Sequence, residues 1–566
     1  MRRLRRVLRS AGLIPWFILL TPALALVPSA FLDLGPDQSA RFTLFPFALT
    51  VLDPFLRIAS LHSVAGAAVV TVGSIVIGVT VASVISSWRF WGRRPLTALI
   101  LAPVVVPPFC VAFGLREHFG PDGLARTVAG IPLDWICWVW AELTLGVPLV
   151  ALATSAALGR VEPSWIHSAR LAGAGPLRIW RQLIWPVLRP HALKGGAVVF
   201  TLTIAEPGAP LMLGLRRTLG YQLVETATSP DAMPRAAALG IEALALAWFG
   251  RTLLSRWAGH PVALEPGPRI NRLRTAGPGR SMLFAGLLGG LILLAWLPVG
   301  ALVREAFSAS ALGTSDSDQT GFSLRGFWNR VMAPESRELI ANSILLALPV
   351  VLVNLASARS LSVWAGRRKS VARLATWTEV FPPLAIGVGA LSLTWLLKVA
   401  AAWFASTGRA TGVTESLWRW LDPAQNPGPL LLLALGAASQ APFLNVWQQS
   451  VRRSRSRLRD AAVLLGASAA QARRAGSTGW FGTPPGVAIL SFALAMSNLA
   501  PVLVLAPTPE WRTLGPGLLM MADAPGDARA TAAGLATCAI GLNLMALAVA
   551  SRVRPLTLGV WFRGRP

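Results

Sequence analysis

Apolar stretches of about 20 residues recur along the whole chain, separated by shorter polar segments in which arginine predominates. A helix of that length crosses a hydrocarbon core of about 30 Å. The pattern predicts spans near 11–30, 62–86, 96–114, 134–157, 193–214 and 236–257. A second set follows near 282–303, 338–358, 376–398, 428–448, 485–507 and 529–551. The fold class expected is all-α: a polytopic membrane protein with about 12 transmembrane helices. An even number of spans puts both termini on the same side, and both are arginine-rich (Arg2, Arg3, Arg5, Arg6 and Arg9; Arg552, Arg554, Arg563 and Arg565).

Composition agrees with this. Of 566 residues, 54% are hydrophobic and only 14% charged, where soluble domains carry about a quarter. The 51 glycines and 43 prolines do not argue against spans, because membrane helices tolerate both. The net charge of +27 would suit a nucleic-acid binder, but its placement says otherwise. Segments 87–95, 158–192, 258–281, 359–375 and 449–484, with the two termini, hold 33 of the 52 Lys/Arg and three acids, Glu162, Glu265 and Asp460. Such a bias orients a membrane protein with these segments inside and makes anionic lipid head groups their neighbours. No nucleic-acid partner is expected. The N-terminal apolar run reads as an uncleaved first span, and the cell inner (plasma) membrane as the location, with both termini cytoplasmic.

The chain divides into 1–258, a Pro/Gly/Arg-rich cytoplasmic linker at 259–281, and 282–566. The two large pieces read as homologous six-helix halves in the same orientation. Each has a span opening on or containing a double proline, Pro107-Pro108 and Pro382-Pro383. Each then has a polar stretch on the inside. The first reads His167-Ser168-Ala169-Arg170-Leu171-Ala172-Gly173-Ala174 and the second Asp460-Ala461-Ala462-Val463-Leu464-Leu465-Gly466-Ala467. Small residues at these positions permit a close approach by another protein's backbone. After the first copy come Gly175-Pro176 and the run Leu177–Pro186, where Trp180 and Trp185 are placed to anchor at the interface and Pro186 to turn the chain back toward the bilayer.

This pattern resembles the cytoplasmic "EAA" loop of binding-protein-dependent ABC importer permeases: Glu-Ala-Ala, three residues, Gly, nine residues, then an aliphatic residue, any residue, Leu-Pro. In the first copy His167, Ser168 and Ala169 take the opening places and Gly173 the glycine. Leu183-Ile184-Trp185-Pro186 falls at the closing spacing. In the second copy Asp460, Ala461, Ala462 and Gly466 match, whereas Gly476-Ser477-Thr478-Gly479 stands where the closing element belongs. His167 in place of glutamate is a departure that puts the strength of the first copy in doubt. The double-length layout is similar to permeases for ferric iron or thiamine. The resemblance implies ATPase-coupling residues at His167, Ala169, Gly173, Pro186, Asp460, Ala461, Ala462 and Gly466. It also implies two copies of a cytoplasmic ABC ATPase subunit, a periplasmic or extracellular solute-binding protein, and import by alternating access.

Ionisable residues within or beside spans mark candidate pathways. Glu142, Glu206, Glu242, Glu379 and Asp523 are of this kind. Glu206, in Ala205-Glu206-Pro207-Gly208, is the leading one, either lining a path that suits a cation or capping a broken helix. Asn342 and Asn498 are milder candidates. Trp88, Trp91, Trp135, Trp138 and Trp140 lie near span ends, as an interfacial belt requires. The sequence has no P-loop, HExxH or Gly-x-Ser-x-Gly element, and its three cysteines and five histidines lack metal-ligand spacing. No catalytic role, metal or cofactor is expected, and energy must come from a separate ATPase or, alternatively, from an ion gradient that drives a secondary transporter.

Overall fold

The computed structural model describes residues 14–34, 40–120, 133–158, 161–229, 232–259, 274–308, 322–365, 381–406, 412–440, 460–468, 471–472, 485–496, 498–506, 509–524 and 527–552. In the first half, α1 is Ile14–Phe31, α2 Phe45–Leu52, α3 Pro54–Ser87, α4 Arg93–Leu101, α5 Pro108–Phe119 and α6 Leu133–Leu158. Then follow α7 Pro163–Leu171, α8 Pro176–Ile179, α9 Trp185–Thr203, α10 Gly208–Met212, α11 Leu219–Ala227 and α12 Met233–Ala258. In the second half, α13 is Pro278–Ala306, α14 Leu324–Val331, α15 Pro334–Ala365, α16 Pro383–Ser406, α17 Gly412–Leu421 and α18 Gly428–Gln440. Residues 460–464 form α19, followed by α20 Pro485–Met496, α21 Ala500–Leu505, α22 Leu514–Ala522 and α23 Asp527–Arg552. Two-stranded pairings are small: an antiparallel hairpin of Leu32–Leu34 with Ala40–Phe42, and a parallel pair of Trp88–Arg89 with Arg274–Thr275. The latter ties the linker to the segment after α3, where the Arg280 guanidinium also sits 5.6 Å over the Trp88 ring.

Among the described residues seven helices are long and apolar enough to cross a membrane, eight if the bent pair α4–α5 counts as one. The protein is a largely helical, polytopic membrane protein. Three of the expected spans are interrupted. The one at 96–114 bends by 102° between Val105 and Pro108, because Pro107 and Pro108 bring no N–H and push the residues before them out of helical geometry. The freed Val105 carbonyl accepts a hydrogen bond from Asn543 Nδ2 on α23 at 3.1 Å. The span at 193–214 stops at Thr203 and resumes at Gly208, and that at 485–507 stops at Met496 and resumes at Ala500. The expected 428–448 is described only to Gln440.

Local chemistry sets several helix starts. The Asp53 carboxylate accepts the Phe55 N–H at 2.9 Å, and Pro54 occupies the first turn of α3, where a missing donor costs nothing. With 34 residues, α3 is about 51 Å long and overreaches the hydrocarbon core. It packs along α6, and Gly66 makes room for Trp138: a Cβ there would stand 2.1 Å from the indole. Trp138 is therefore a fully buried core residue, 1% exposed, and not part of an interfacial belt.

Two contacts recur in matching form in the two halves. Gly114 on α5 packs against the carbonyl oxygen of Pro298 on α13, and Gly389 on α16 against that of Pro22 on α1; a Cβ would stand 2.1 Å from the oxygen in each case. Thus α13 crosses α5 and α1 crosses α16. Ser63 Oγ accepts the Leu219 N–H at 2.7 Å, and Ser343 Oγ accepts the Leu514 N–H at 2.9 Å. Both acceptors serve the start of a short helix that opens with Thr-Leu-Gly and has no side-chain cap of its own. Replacing either serine by alanine strands a buried donor, so Ser63→Ala and Ser343→Ala are each expected to cost about 1–3 kcal/mol. Thermal unfolding of the purified protein checks this, with Ser83→Ala, whose hydroxyl bonds only within its own helix, as the reference.

Candidate functional site

The two polar stretches at 167–174 and 460–467 fold alike. In the first, α7 ends as the N–H groups of Ala172, Gly173 and Ala174 donate to the carbonyls of Ser168, Arg170 and Ala169 at 3.0, 2.9 and 2.9 Å. In the second, those of Leu465, Gly466 and Ala467 donate to Ala461, Val463 and Ala462 at 3.0, 3.0 and 2.9 Å. Gly173 has φ +78° and Gly466 φ +79°. This is the left-handed closure of a helix C-terminus, which favours glycine because a Cβ there meets the following carbonyl. Burial matches position by position: Ala169 and Ala174, like Ala462 and Ala467, are half-buried, and the other six residues of each turn are exposed. A Cβ on either glycine would meet nothing within 4 Å.

These turns present exposed apolar side chains with no burying partner among the described residues. Leu171 is 78% exposed, Leu464 87% and Leu465 86%. Exposed leucines beside a small-residue surface are what a docking contact needs. His167 and Asp460 take the same place at the exposed start of each turn.

Each turn leads into another helix. Gly175 and Pro176 start α8 in the first copy. In the second, Ser468 and Gln471 form a reciprocal cap, with Ser468 N–H to Gln471 Oε1 at 2.9 Å and Gln471 N–H to Ser468 Oγ at 3.4 Å, a device that starts helices. Residues 473–484, including the expected closing region, lie outside the described residues. In the first copy the chain does not turn at Pro186. Instead α8 runs through a π-turn, Trp180–Ile184, directly into α9. That wider turn takes up the register change beside Pro186, which has no N–H to give. Ile179 is buried, and Trp180, Ile184 and Trp185 pack against the cluster of Ala157, Leu158 and Leu188. The exposed turn is thereby stiffly joined to α3, α6 and α9. The sequence signalled this through interleaved aromatic and aliphatic residues, but not the continuous helix.

The pathway candidates lie elsewhere. The Glu206 carboxylate accepts the N–H groups of Gly208 and Ala209 at 2.8 and 2.9 Å and caps α10. Glu142, 1% exposed in the middle of α6, accepts the Thr203 hydroxyl at 2.9 Å. Its other oxygen meets no N–H or O–H donor of the described protein. The Asn342 amide donates to the carbonyls of Glu510 and Arg512 at 2.8 and 3.1 Å. Asn498 stands in the break before α21, its N–H on the Ala495 carbonyl at 3.3 Å. The structure therefore does not gather Glu206, Asn342 and Asn498 around one ligand. Glu206 caps a helix, Asn342 holds the carbonyls of Glu510 and Arg512, and Asn498 stands in a break. Gly208 faces Leu499 of the other half: a Cβ on it would lie 2.7 Å from the leucine Cδ2. Asp523, another of the acids named from the sequence, pairs with Arg116 at 2.5 Å. Among the described residues no group of three or more His, Cys, Asp or Glu could hold a metal ion.

No family model matches the chain. It is 29% identical over 215 residues to the molybdenum transport system permease protein ModB of Mycobacterium tuberculosis, covering 36% of this chain and 81% of that protein. It is 26% identical over 382 residues to the probable ABC transporter permease protein y4fN of Sinorhizobium fredii, covering 62% of this chain and 65% of the relative. With the sulfate transport system permease protein CysT of Salmonella typhimurium it shares 27% identity over 143 residues, 24% of this chain and 52% of CysT. Many apolar spans, the paired polar turns and these relatives point the same way: the chain is a polytopic membrane protein similar to permease subunits of ABC transport systems.

Proposed function

We propose that the chain is the transmembrane permease subunit of an ATP-driven importer, built from two fused six-span halves, 1–258 and 282–566, joined by the linker 259–281. The matched turns at 167–174 and 460–467 carry this reading. Each docks one copy of a cytoplasmic ABC ATPase. When ATP draws the two copies together, the levers move their spans, and the path opens alternately to an external solute-binding protein and to the cytoplasm. Both termini are then cytoplasmic, and the membrane is the bacterial inner membrane. Support for the fused halves comes from the paired Gly–Pro contacts and paired serine acceptors. Relative sizes add to it, since 215 residues make up most of ModB but little over a third of this chain.

For the solute, the ferric iron, thiamine or other cation suggested by the double-length layout competes with an oxyanion. The relatives' names point to molybdenum, sulfate and 2-aminoethylphosphonate. We therefore assign an oxyanion. Proteoliposomes holding the chain with its ATPase and solute receptor are expected to take up sulfate, molybdate or a phosphonate only when ATP is present. Uptake of ferric iron or thiamine in their place contradicts the solute class, and uptake driven by an ion gradient without ATP contradicts the importer.

A further inference from the structure

Both halves build the same broken helix but fill it with different side chains. In the first half α9 stops at Thr203, and the Glu206 N–H donates to the Thr203 carbonyl at 3.3 Å. In the second α20 stops at Met496, and the Asn498 N–H donates to the Ala495 carbonyl at 3.3 Å. Thr203 and Glu206 thus stand where the second half has Ala495 and Asn498. The helices beside the breaks align through their own contacts. Ser63 and Ser343 set α3 and α15 in step, which pairs Ser74 with Asn354. A Cβ on Gly146 of α6 would stand 2.2 Å from Ser74 Oγ, and Asn354 Nδ2 donates to Ser439 Oγ of α18 at 2.7 Å. One position earlier on α3 and α15 the partners exchange sizes, Gly73 facing Leu143 and Val353 facing Gly436. In that register Glu142 of α6 corresponds to Leu435 of α18.

Leu435 and Ala495 belong to one apolar cluster. The first half puts two acids in the same place. Glu142 is 1% exposed, and its Oε2 accepts the Thr203 hydroxyl at 2.9 Å. Its carboxyl lies within hydrogen-bonding reach of Glu206, whose oxygens hold the Gly208 and Ala209 N–H groups. The break itself needs no such pair, since the second half forms it without one. No other charged group among the described residues faces the two acids. On α3, Arg57 is exposed and His62 lies against Trp135. On α5, Arg116 and Glu117 pair with Asp523 and Arg529. Lys194 of α9 is exposed, Glu225 of α11 takes the Gln222 amide, and Glu242 of α12 stands against Ser60.

Two ionised carboxylates offer each other only acceptors, and like charges at contact in a buried site cannot both persist. A proton between them removes both difficulties. The Thr203 hydroxyl occupies Oε2 of Glu142, which leaves Oε1, a buried oxygen that meets no donor, to carry the hydrogen. Glu206, already holding two N–H groups, is the charged acceptor. Hard metal ions take about six oxygens or more, and Glu142, Glu206 and Thr203 fall short of that. We infer that the first half binds one proton, carried on Glu142 and donated to the Glu206 carboxylate, at a site the second half lacks. Its loss sets two charges against each other at the break, where Gly208 abuts Leu499 of the second half. The proton thereby keeps Glu206 on α10 and α10 against the other half. The site depends neither on the solute nor on the direction of transport.

Infrared spectroscopy reads the proton directly. The full chain in a maltoside detergent, which has no carbonyl of its own, is compared at neutral pH with its variants. The wild-type spectrum minus that of Glu142→Gln is expected to show a protonated-carboxyl C=O band that moves in D2O. The glutamine keeps a donor toward Glu206 and an acceptor for Thr203, so folding should survive. Glu142→Leu, with the residue found in the second half, provides the same subtraction should it not. Thr203→Val should shift the band to higher frequency by removing the hydrogen bond to the acid's carbonyl. Glu206→Gln should shift it as well, by replacing the charged acceptor with a neutral one. Glu242→Gln should leave it in place, and exchanging sodium for choline should change nothing. Absence of the band from wild type, or its presence at the same frequency in Thr203→Val and Glu206→Gln, would overturn the shared proton. A band seen in choline but lost in sodium would give the site to a metal cation instead.

Discussion

Gly466→Val is expected to lower ATP-driven uptake by tenfold or more while leaving the amount of folded protein in the membrane unchanged, and Gly173→Val to do the same. At φ +79° and +78° a residue with a Cβ costs about 1–2 kcal/mol, and valine, branched at Cβ, is a poor occupant of that region. The strain is relieved by opening the turn, which moves Leu464 and Leu465, or Leu171, away from the geometry that a partner meets. Since a Cβ on either glycine would meet nothing within 4 Å, the damage should be confined to coupling. His167→Ala changes one exposed side chain and no backbone, so its effect should be smaller than that of either valine. Uptake and receptor-stimulated ATP hydrolysis, normalised to folded protein, check the order. Equal loss in Gly466→Val and His167→Ala would contradict it.

The second large effect is structural. Gly114→Ala or Gly389→Ala places a methyl group where the Pro298 or Pro22 carbonyl oxygen already stands. Backbone cannot yield as a flexible side chain does, so the crossing span must shift. Overpacking of this kind costs about 1–3 kcal/mol, and a larger side chain at either site should prevent the halves from assembling. Thermal unfolding of the two alanine variants checks the size of the effect and their similarity. Unfolding temperatures unchanged in both would mean that the spans do not cross as described.

Much of this architecture was legible in the amino-acid order. Helices in lipid need about 20 apolar residues, and that demand leaves a clear trace: seven described helices, or eight with the bent pair, meet it at expected spans. The turns at Gly173 and Gly466 were also visible, because spacing and small residues are local. What stayed hidden was non-local. Arg116 and Asp523 are 407 residues apart, and neither differs on paper from other charges beside a span. Glu206 was legible as either a pathway acid or a helix cap, and its carboxylate does accept the first N–H groups of α10. Trp138 looked like a belt residue because it lies near the end of its span. Only the neighbouring Gly66, across a helix interface, makes it core. The span at 96–114 was read as one helix although it contained Pro107 and Pro108, since hydropathy registers length and not direction.

The most direct measurement concerns the two levers. His167→Cys and Asp460→Cys, introduced separately, can be probed with a membrane-impermeant maleimide in sealed right-side-out and inverted vesicles, in a background with the half-buried Cys538 replaced by alanine and with Cys110 and Cys137 buried. Both positions are expected to react only in inverted vesicles and to be shielded when the ATPase is bound. Reaction from opposite faces, or no shielding at either position, would contradict the account.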